Sequence, residues 1–179
     1  APHLIDQSLQ LLGAPVREVW SYLRRILTPG DADDHVRISI AGENDVVAEV
    51  EISNSVALES PYCTIYGDRG TLVYGQGQKN IRLKYLDPQF RWPEAAADAG
   101  TPVLGNPMSA DAKLPWIEET RRVEPDTNMW EYVEIEIARH LHNALRNNIP
   151  FPVTSADALE VVRVTELVKK QNPQFNWVG

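Results

Sequence analysis

The chain has 179 residues, of which 43% are hydrophobic and 23% are charged, and this is the size and composition of a globular domain with its own core. Acidic residues outnumber basic residues 25 to 17, so the formal net charge is −8, a sign that argues against nucleic-acid binding. No apolar run reaches the roughly 20 residues of a membrane span, one cysteine excludes an internal disulfide, and no signal peptide is evident. We therefore expect a cytoplasmic protein that binds neither nucleic acid nor membranes.

The first predicted elements are a short helix and several strands. The helix ends before Gly13 and Pro15, and residues 16–27 form a long strand with apolar side chains on both faces, which indicates that both faces are covered. Residues 35–40 and 48–53 alternate as a hairpin, in which Arg37 can pair with Glu49 or Glu51. Shorter strands at 62–66, 71–74 and 81–85 follow, and their short connections predict mostly antiparallel pairing.

The second half of the chain contains a proline-rich segment and two helices. Residues 87–126 hold six of the thirteen prolines and are expected to pack down as an irregular segment. A helix is predicted from near Asn128, and the next begins at Thr154 with Asp157 in a capping-box arrangement. The predicted core stripe of the first of these helices is Trp130, Val133, Ile137, Leu141 and Leu145. The order of elements predicts an α+β fold, with helices on one face of an open, mainly antiparallel sheet, as a single domain over residues 1–179.

Several patterns that suggest binding chemistry have simpler explanations. The Gly75-Gln76-Gly77 run lies between strands and lacks the third glycine and the helix of a dinucleotide site, so we expect no cofactor-binding residue in this chain. The acidic run 31–35 lacks the spacing of a calcium loop and is expected to be a solvated turn. Cys63 is interpreted as a core residue, and His140 as a surface partner of Glu136. We therefore predict no metal site.

The polar face of the first helix is the strongest candidate for chemistry. His3, Asp6, Gln7 and Gln10 recur at the spacing that places side chains on one helix face. Histidine titrates near neutrality, so His3 can move a proton at physiological pH, and a carboxylate one turn away could orient it or hold a substrate hydroxyl. The alternative is a solvent-exposed chain start with no function.

Four motifs in order along the chain resemble one family. They are Pro2-His3-Leu4-Ile5-Asp6-Gln7 with Leu11-Leu12-Gly13-Ala14-Pro15, Asp33-Asp34-His35, Tyr66-Gly67-Asp68-Arg69-Gly70-Thr71-Leu72, and Asn143-Ala144-Leu145-Arg146 with Pro150-Phe151-Pro152-Val153-Thr154. Together they are similar to the C-terminal domain of the glucose–fructose oxidoreductase, inositol dehydrogenase and rhizopine catabolism (Gfo/Idh/MocA) family. Residues 87–126 match none of its motifs, and substrate specificity could differ there.

This resemblance implies an enzyme with two domains. The chain would be the C-terminal half, which binds a sugar-like or polyol-like small molecule, and its own N-terminal Rossmann domain would bind NAD or NADP. By the same resemblance, His3 is the catalytic proton donor or acceptor, and Asp6 and, more weakly, Gln7 contact substrate hydroxyls. A sheet face carrying the aromatic side of strand 16–27 would form a homo-oligomer. Because the chain starts within a motif and without methionine, we expect this fragment alone to be inactive.

Two alternatives remain open from the sequence. The chain could be a non-catalytic binding or dimerisation module in which His3 and Asp6 are merely solvated. It could also be an independent α+β enzyme that needs no nucleotide. Coding sequence upstream of Ala1 distinguishes these possibilities, because a Rossmann glycine motif there supports the two-domain enzyme.

Overall fold

The computed structural model describes residues 2–27, 29–91, 114–123 and 129–175. In these ranges the chain forms three helices, seven strands and a short 3₁₀ turn, in an order that begins with a helix and ends with two helices. The elements are α1 Pro2–Leu12, β1 Val16–Arg24, β2 His35–Gly42, β3 Val47–Ser53, β4 Cys63–Gly67, β5 Gly70–Tyr74, β6 Asn80–Leu86, β7 Trp116–Arg122, α2 Met129–Arg146, α3 Ser155–Gln171 and the 3₁₀ turn Pro173–Phe175. They divide between two compact units, residues 1–57 with 134–179 and residues 58–133.

The first unit contains an antiparallel sheet in the order β1-β2-β3. Residues of β2 alternate between buried and more exposed positions, and Ile38 and Ile40 are almost completely buried because one face of the sheet is covered. Helices α1 and α3 pack on that face and contribute Ile5, Leu12, Val164 and Val168 to the same core. The hairpin predicted from the alternation is confirmed, with Arg37 opposite Glu51 and their side chains 3.1 Å apart.

Helix α3 begins and ends at polar contacts. Thr154 and Asp157 form the predicted capping box, in which the Asp157 N–H donates to Thr154 Oγ1 and the Thr154 N–H donates to Asp157 Oδ2. The buried face centres on Val164 and Val168, whereas Val162 is half exposed.

The C-terminal end of α3 is bonded to strand β1 by side-chain amides. Asn172, which is 3% exposed, accepts from the Leu23 N–H at 3.0 Å and donates to Ser21 Oγ at 2.9 Å. The Gln171 side-chain nitrogen donates to the Val19 carbonyl oxygen at 2.7 Å. These bonds link the last turn of the helix to three successive inward positions of the strand.

The second unit contains an antiparallel sheet in the order β4-β5-β6-β7. Gly70 opens β5 at a close approach of two strands, because a Cβ there would lie 2.6 Å from the Lys84 carbonyl oxygen. Arg69 next to it donates to the carbonyl oxygens of Asp87 and Phe90, each at 3.0 Å. This hairpin therefore holds the chain at the start of the segment 87–126.

The structure confirms the α+β class with open antiparallel sheets and corrects three details of the sequence prediction. The strands form two sheets, and β7 arises inside the proline-rich segment, where we predicted no strand. Strand β1 ends at Arg24 because the buried Asp34 carboxylate accepts the N–H groups of Ile26 and Leu27, at 2.6 and 2.7 Å. The expectation of a wholly solvated turn at 31–35 was therefore wrong for Asp34.

The predicted core stripe of α2 is not buried. Ile137, Leu141 and Leu145 are 52%, 50% and 72% exposed. The proposed helix start at Asn128 lies outside the described residues. A further prediction, that residues 1–179 fold as a single domain, stays a prediction.

Candidate functional site

Helix α1 presents the candidate catalytic face. Its opposite face buries Ile5 and Leu12, and Gly13, with a φ of +65°, ends the helix by donating its N–H to the Leu9 carbonyl oxygen at 3.2 Å. Burial of Ile5 turns His3 and Gln7 towards solvent on the first two turns, and both are exposed. The histidine is therefore accessible to a small molecule.

Asp6 lies at the edge of this polar face. It is half-buried and lines a half-open groove of about 540 Å³ between α1 and α3, together with Gln10 and the loop at 13–16. His3 and Gln7 are not among the groove's lining residues. The structure therefore brings Asp6 and Gln10 to one side of α1 and leaves His3 and Gln7 on the exposed ridge.

The other wall of the groove belongs to α3. Asp157, Glu160 and Arg163 line it, and Arg163 pairs with Glu160 through its Nε and Nη2, at 2.7 and 2.5 Å. The hydrogen bond from Arg163 lowers the pKa of Glu160, and the hydrogen bonds from Thr154 lower the pKa of Asp157. Both carboxyl groups are therefore ionised at neutral pH. Sequence reasoning missed this wall because no local pattern shows that α3 packs beside α1.

His3 and Asp6 are on the same helix but are not hydrogen-bonded to each other. In the described ranges the side chains of His3 and Asp6 form no hydrogen bond or ion pair with another residue. The arrangement does not support a carboxylate that orients the imidazole. It leaves both groups available to bind an external hydroxyl, the second role that we considered for Asp6.

The other sequence candidates have structural roles or no ligand. Asp34 is engaged by backbone N–H groups, and the described parts of the chain contain no cluster of three His, Cys, Asp or Glu able to hold a metal. Cys63 is half-buried on β4. His140 Nε2 lies 3.6 Å from Glu136 Oε2, which confirms the predicted surface pairing. No helix in the described ranges is both long and apolar enough to span a membrane.

The glycine-rich turn does not fit a dinucleotide. Gly75 and Gly77 form a tight turn between β5 and β6, closed by a hydrogen bond from the Gln78 N–H to the Gly75 carbonyl oxygen at 3.2 Å. A dinucleotide site needs a helix N-terminus after the glycines, and a strand follows here. Accordingly, this turn offers no site for NAD or NADP.

The outer face of the β1-β2-β3 sheet carries an exposed aromatic patch. Trp20 and Tyr22 are 56% and 43% exposed, and their rings are nearly parallel, at 7°, with centroids 6.4 Å apart. The Arg24 guanidinium lies 5.7 Å from the Tyr22 ring centre. Within the described chain only the inner face of this strand is covered, and the prediction that the outer face is covered as well stays a prediction.

Comparison with known proteins identifies the fold. Residues 1–73 match the family model of the GFO/IDH/MocA C-terminal domain. No curated protein matches the sequence. Among solved structures, UDP-N-acetylglucosamine 3-dehydrogenase from Acidithiobacillus ferrooxidans is 17% identical, with a TM-score of 0.66 over 97% of this chain and 47% of that one.

Two other solved structures give the same result. An oxidoreductase from Agrobacterium radiobacter in complex with NAD+, L-tartaric acid and magnesium is 17% identical, with a TM-score of 0.65 over 96% of this chain and 45% of that one. Biliverdin reductase from Synechocystis, in complex with biliverdin and NADP+, is 17% identical, with a TM-score of 0.62 over 95% and 44% of the two chains.

The chain thus spans a little under half the length of these structures. The family model covers α1 and the β1-β2-β3 sheet, and the structural similarity extends over nearly the whole chain. Residues 1–73 therefore resemble the GFO/IDH/MocA C-terminal domain, as the motifs predicted, and the chain shares its fold with about half of each of these oxidoreductase structures.

Proposed function

We propose that this chain is the substrate-binding and oligomerisation domain of a cytoplasmic NAD(P)-dependent oxidoreductase that acts on a sugar, a polyol or a related hydroxy compound. The observation that carries the proposal is the exposed imidazole of His3 on the first turn of α1. By the resemblance of its motif, His3 corresponds to the active-site histidine of the family, and the fold is similar to about half of each solved oxidoreductase, which supports this assignment.

In this proposal, His3 takes the proton from a substrate hydroxyl, or returns it in the reverse direction. An exposed imidazole whose side chain has no hydrogen-bond partner in the described ranges is accessible to a substrate hydroxyl and has the chemistry of a general base. Asp6 and Gln7 would hold neighbouring hydroxyls, since a carboxylate accepts hydrogen bonds and a carboxamide both donates and accepts them. Because Asp6 lies at the edge of the groove and Gln7 lies on the exposed ridge with His3, a ligand bound by both would pass close to His3.

Hydride transfer would depend on NAD or NADP, which supplies this chemistry when bound. The described residues form no dinucleotide site, so the cofactor would be held by an N-terminal Rossmann domain of the parent protein. Solved structures with the same fold support this arrangement, since two of them contain NAD+ or NADP+ and are about twice as long as this chain.

Oligomerisation would use the outer face of the first sheet. The stacked Trp20 and Tyr22 give this face the aromatic centre common at protein interfaces, and the Arg37–Glu51 pair gives it a charged flank. A second copy could cover the same patch by two-fold symmetry.

A non-catalytic binding or dimerisation module is the second candidate. The absence of any contact between His3 and Asp6 in the described chain favours it, because catalytic histidines are commonly oriented by a hydrogen-bonded neighbour. The two functions predict different effects on turnover when the His3 imidazole is removed.

The test is His3→Ala in the full-length parent protein with its substrate. We expect kcat to fall by about 10²–10⁴-fold, the usual contribution of a general acid or base. Leu11→Ala, which changes an exposed residue two turns along the same helix that does not line the groove, is the control and should leave kcat close to the wild-type value. Turnover of His3→Ala within a few-fold of wild type would contradict the catalytic role and favour the binding module.

A further inference from the structure

Helix α2 carries an apolar stripe that the described chain leaves exposed. Val133, Ile137, Leu141 and Leu145 follow one another at intervals of four residues and are 38%, 52%, 50% and 72% exposed. Side chains at this spacing share one side of a helix, and such a side is normally buried against another element. A contiguous exposed apolar surface of this kind usually marks an interaction site.

Charge is distributed unevenly along the same helix. The acidic side chains Glu131, Glu134 and Glu136 all lie in its first half, and the basic side chains Arg139, His140, His142 and Arg146 all lie in its second half. Two such helices side by side in the same direction would place like charges together. In opposite directions, the acidic half of each faces the basic half of the other.

We propose that α2 packs antiparallel against α2 of a second copy of this chain, around a two-fold axis level with Ala138. In this register, Val133 and Ile137 of one copy meet Leu141 and Leu145 of the other. The same surface is used twice, as two-fold symmetry requires. The chain is its own partner because the two halves of α2 are opposite in charge.

The helix geometry gives the charged contacts of this interface. A helix turns by about 100° per residue, so Glu134 and His142 lie on one flank of the stripe, and Glu136 and His140 lie on the other. A two-fold axis perpendicular to both helices places the same flank of each helix on the same side of the interface, so these two flanks meet. Glu134 therefore comes opposite His142 of the second copy. Glu136 already pairs with Arg139 and His140 of its own helix, and this group comes level with the same group of the second copy.

The expected association is weak and depends on concentration. The 18 residues of α2 extend over about 27 Å, and a single pair of such helices buries less than the roughly 800 Å² per partner of a standard stable interface. This contact does not involve Trp20 or Tyr22. It therefore goes beyond the proposed function and does not rest on it.

The first test measures self-association of the 179-residue chain by sedimentation velocity over a range of concentrations at pH 6. The chain carries Trp20→Thr so that the aromatic sheet face contributes little. We expect a monomer–dimer equilibrium whose Kd rises about ten-fold or more in Leu141→Asp, because a charge would enter the apolar contact. Leu159→Asp on α3, where the leucine is 68% exposed, is the matched control and should leave Kd unchanged.

The second test exchanges charges across the proposed interface. His142→Glu places two carboxylates opposite each other at both symmetric positions and should raise Kd about five-fold or more. Adding Glu134→Lys to that variant should restore the wild-type Kd. Residues 134 and 142 are about 12 Å apart along one helix, so the rescue can come only from contact between two copies.

Three results would overturn the proposal. The chain could remain monomeric at every concentration, or the double variant could fail to recover association. Leu141→Asp could instead lower the stability of the monomer while leaving association unchanged, which would show that another segment of the same chain covers the stripe. Circular dichroism of each variant distinguishes loss of association from loss of folding.

Discussion

Helices α2 and α3 have similar lengths and similar apolar patterns, but their apolar faces have different environments. In α3, Val164 and Val168 lie in the core with 0% and 6% exposure, whereas in α2 Ile137 and Leu141 are about half exposed. Helix α3 begins at a complete capping box and ends at side-chain amides bonded to β1. An apolar stripe shows that a helix has a face to bury, and in α3 the amide contacts at its end accompany burial of that face against β1.

The strongest way to weaken the docking of α3 is to remove the Asn172 amide. Asn172→Leu leaves the Leu23 N–H and Ser21 Oγ without this partner in a buried environment, and should lower the free energy of unfolding by about 2–4 kcal/mol. Urea denaturation measures the change. Asn147→Leu, at an exposed position, is the control, and an equal effect of the two variants would show that the amide bonds do not hold α3 in place.

A matched pair of truncations compares the two apolar faces directly. Val164→Ala should lower the free energy of unfolding by about 1.5–3 kcal/mol, because it opens a cavity in the core. Leu141→Ala, measured at low protein concentration, should change it by no more than about 0.5 kcal/mol. If Leu141→Ala were as damaging as Val164→Ala, the stripe of α2 would be buried within the monomer.

The smallest effect is expected at the start of α3. Thr154→Ala removes the side-chain acceptor of the capping box and should cost about 1 kcal/mol in urea denaturation. The control is Ser155→Ala at the next residue, which no bond of the capping box involves. Equal losses in the two variants would contradict a specific role of the cap.

The same capping box makes the stability of the protein depend on pH, and the direction of this dependence follows from Asp157. Hydrogen bonds from Thr154 lower the pKa of Asp157 in the folded state, so this stabilisation is present above the unfolded pKa and is lost as pH falls through the folded pKa. The urea midpoint of the wild type should therefore decrease more between pH 6 and pH 3 than that of Asp157→Asn. Glu166→Gln on the same helix should retain the wild-type response.

Local features of the fold were predictable from the sequence, and distant contacts were not. The alternation of residues 35–40 and 48–53 predicted the β2-β3 hairpin, and the spacing of Thr154 and Asp157 predicted the capping box, because each depends on neighbours along the chain. The end of β1 depends on the Asp34 carboxylate folding back on residues 26 and 27, and the exposure of the α2 stripe depends on which elements pack together. The periodicity of apolar residues along the sequence does not show which distant residues come into contact.

The candidate site shows the same division. The spacing of His3, Asp6 and Gln7 predicted a shared helix, and Ile5 as an inward residue accounts for their exposure. The groove beside Asp6 was not predictable, because its second wall comes from the other end of the chain, where Glu160 and Arg163 are set by the packing of α3 on α1. For the same reason, the sequence could not show whether His3 and Asp6 are bonded to each other.

The amide contacts at the end of α3 also protect the first sheet from strand addition. β1 is an edge strand, and an edge strand with free backbone groups can recruit a strand from another molecule, which leads to aggregation. Here the Val19 carbonyl oxygen is occupied by Gln171, and the Leu23 N–H is occupied by Asn172. An incoming strand would have to break both bonds, so the end of a helix closes this edge to polymerisation.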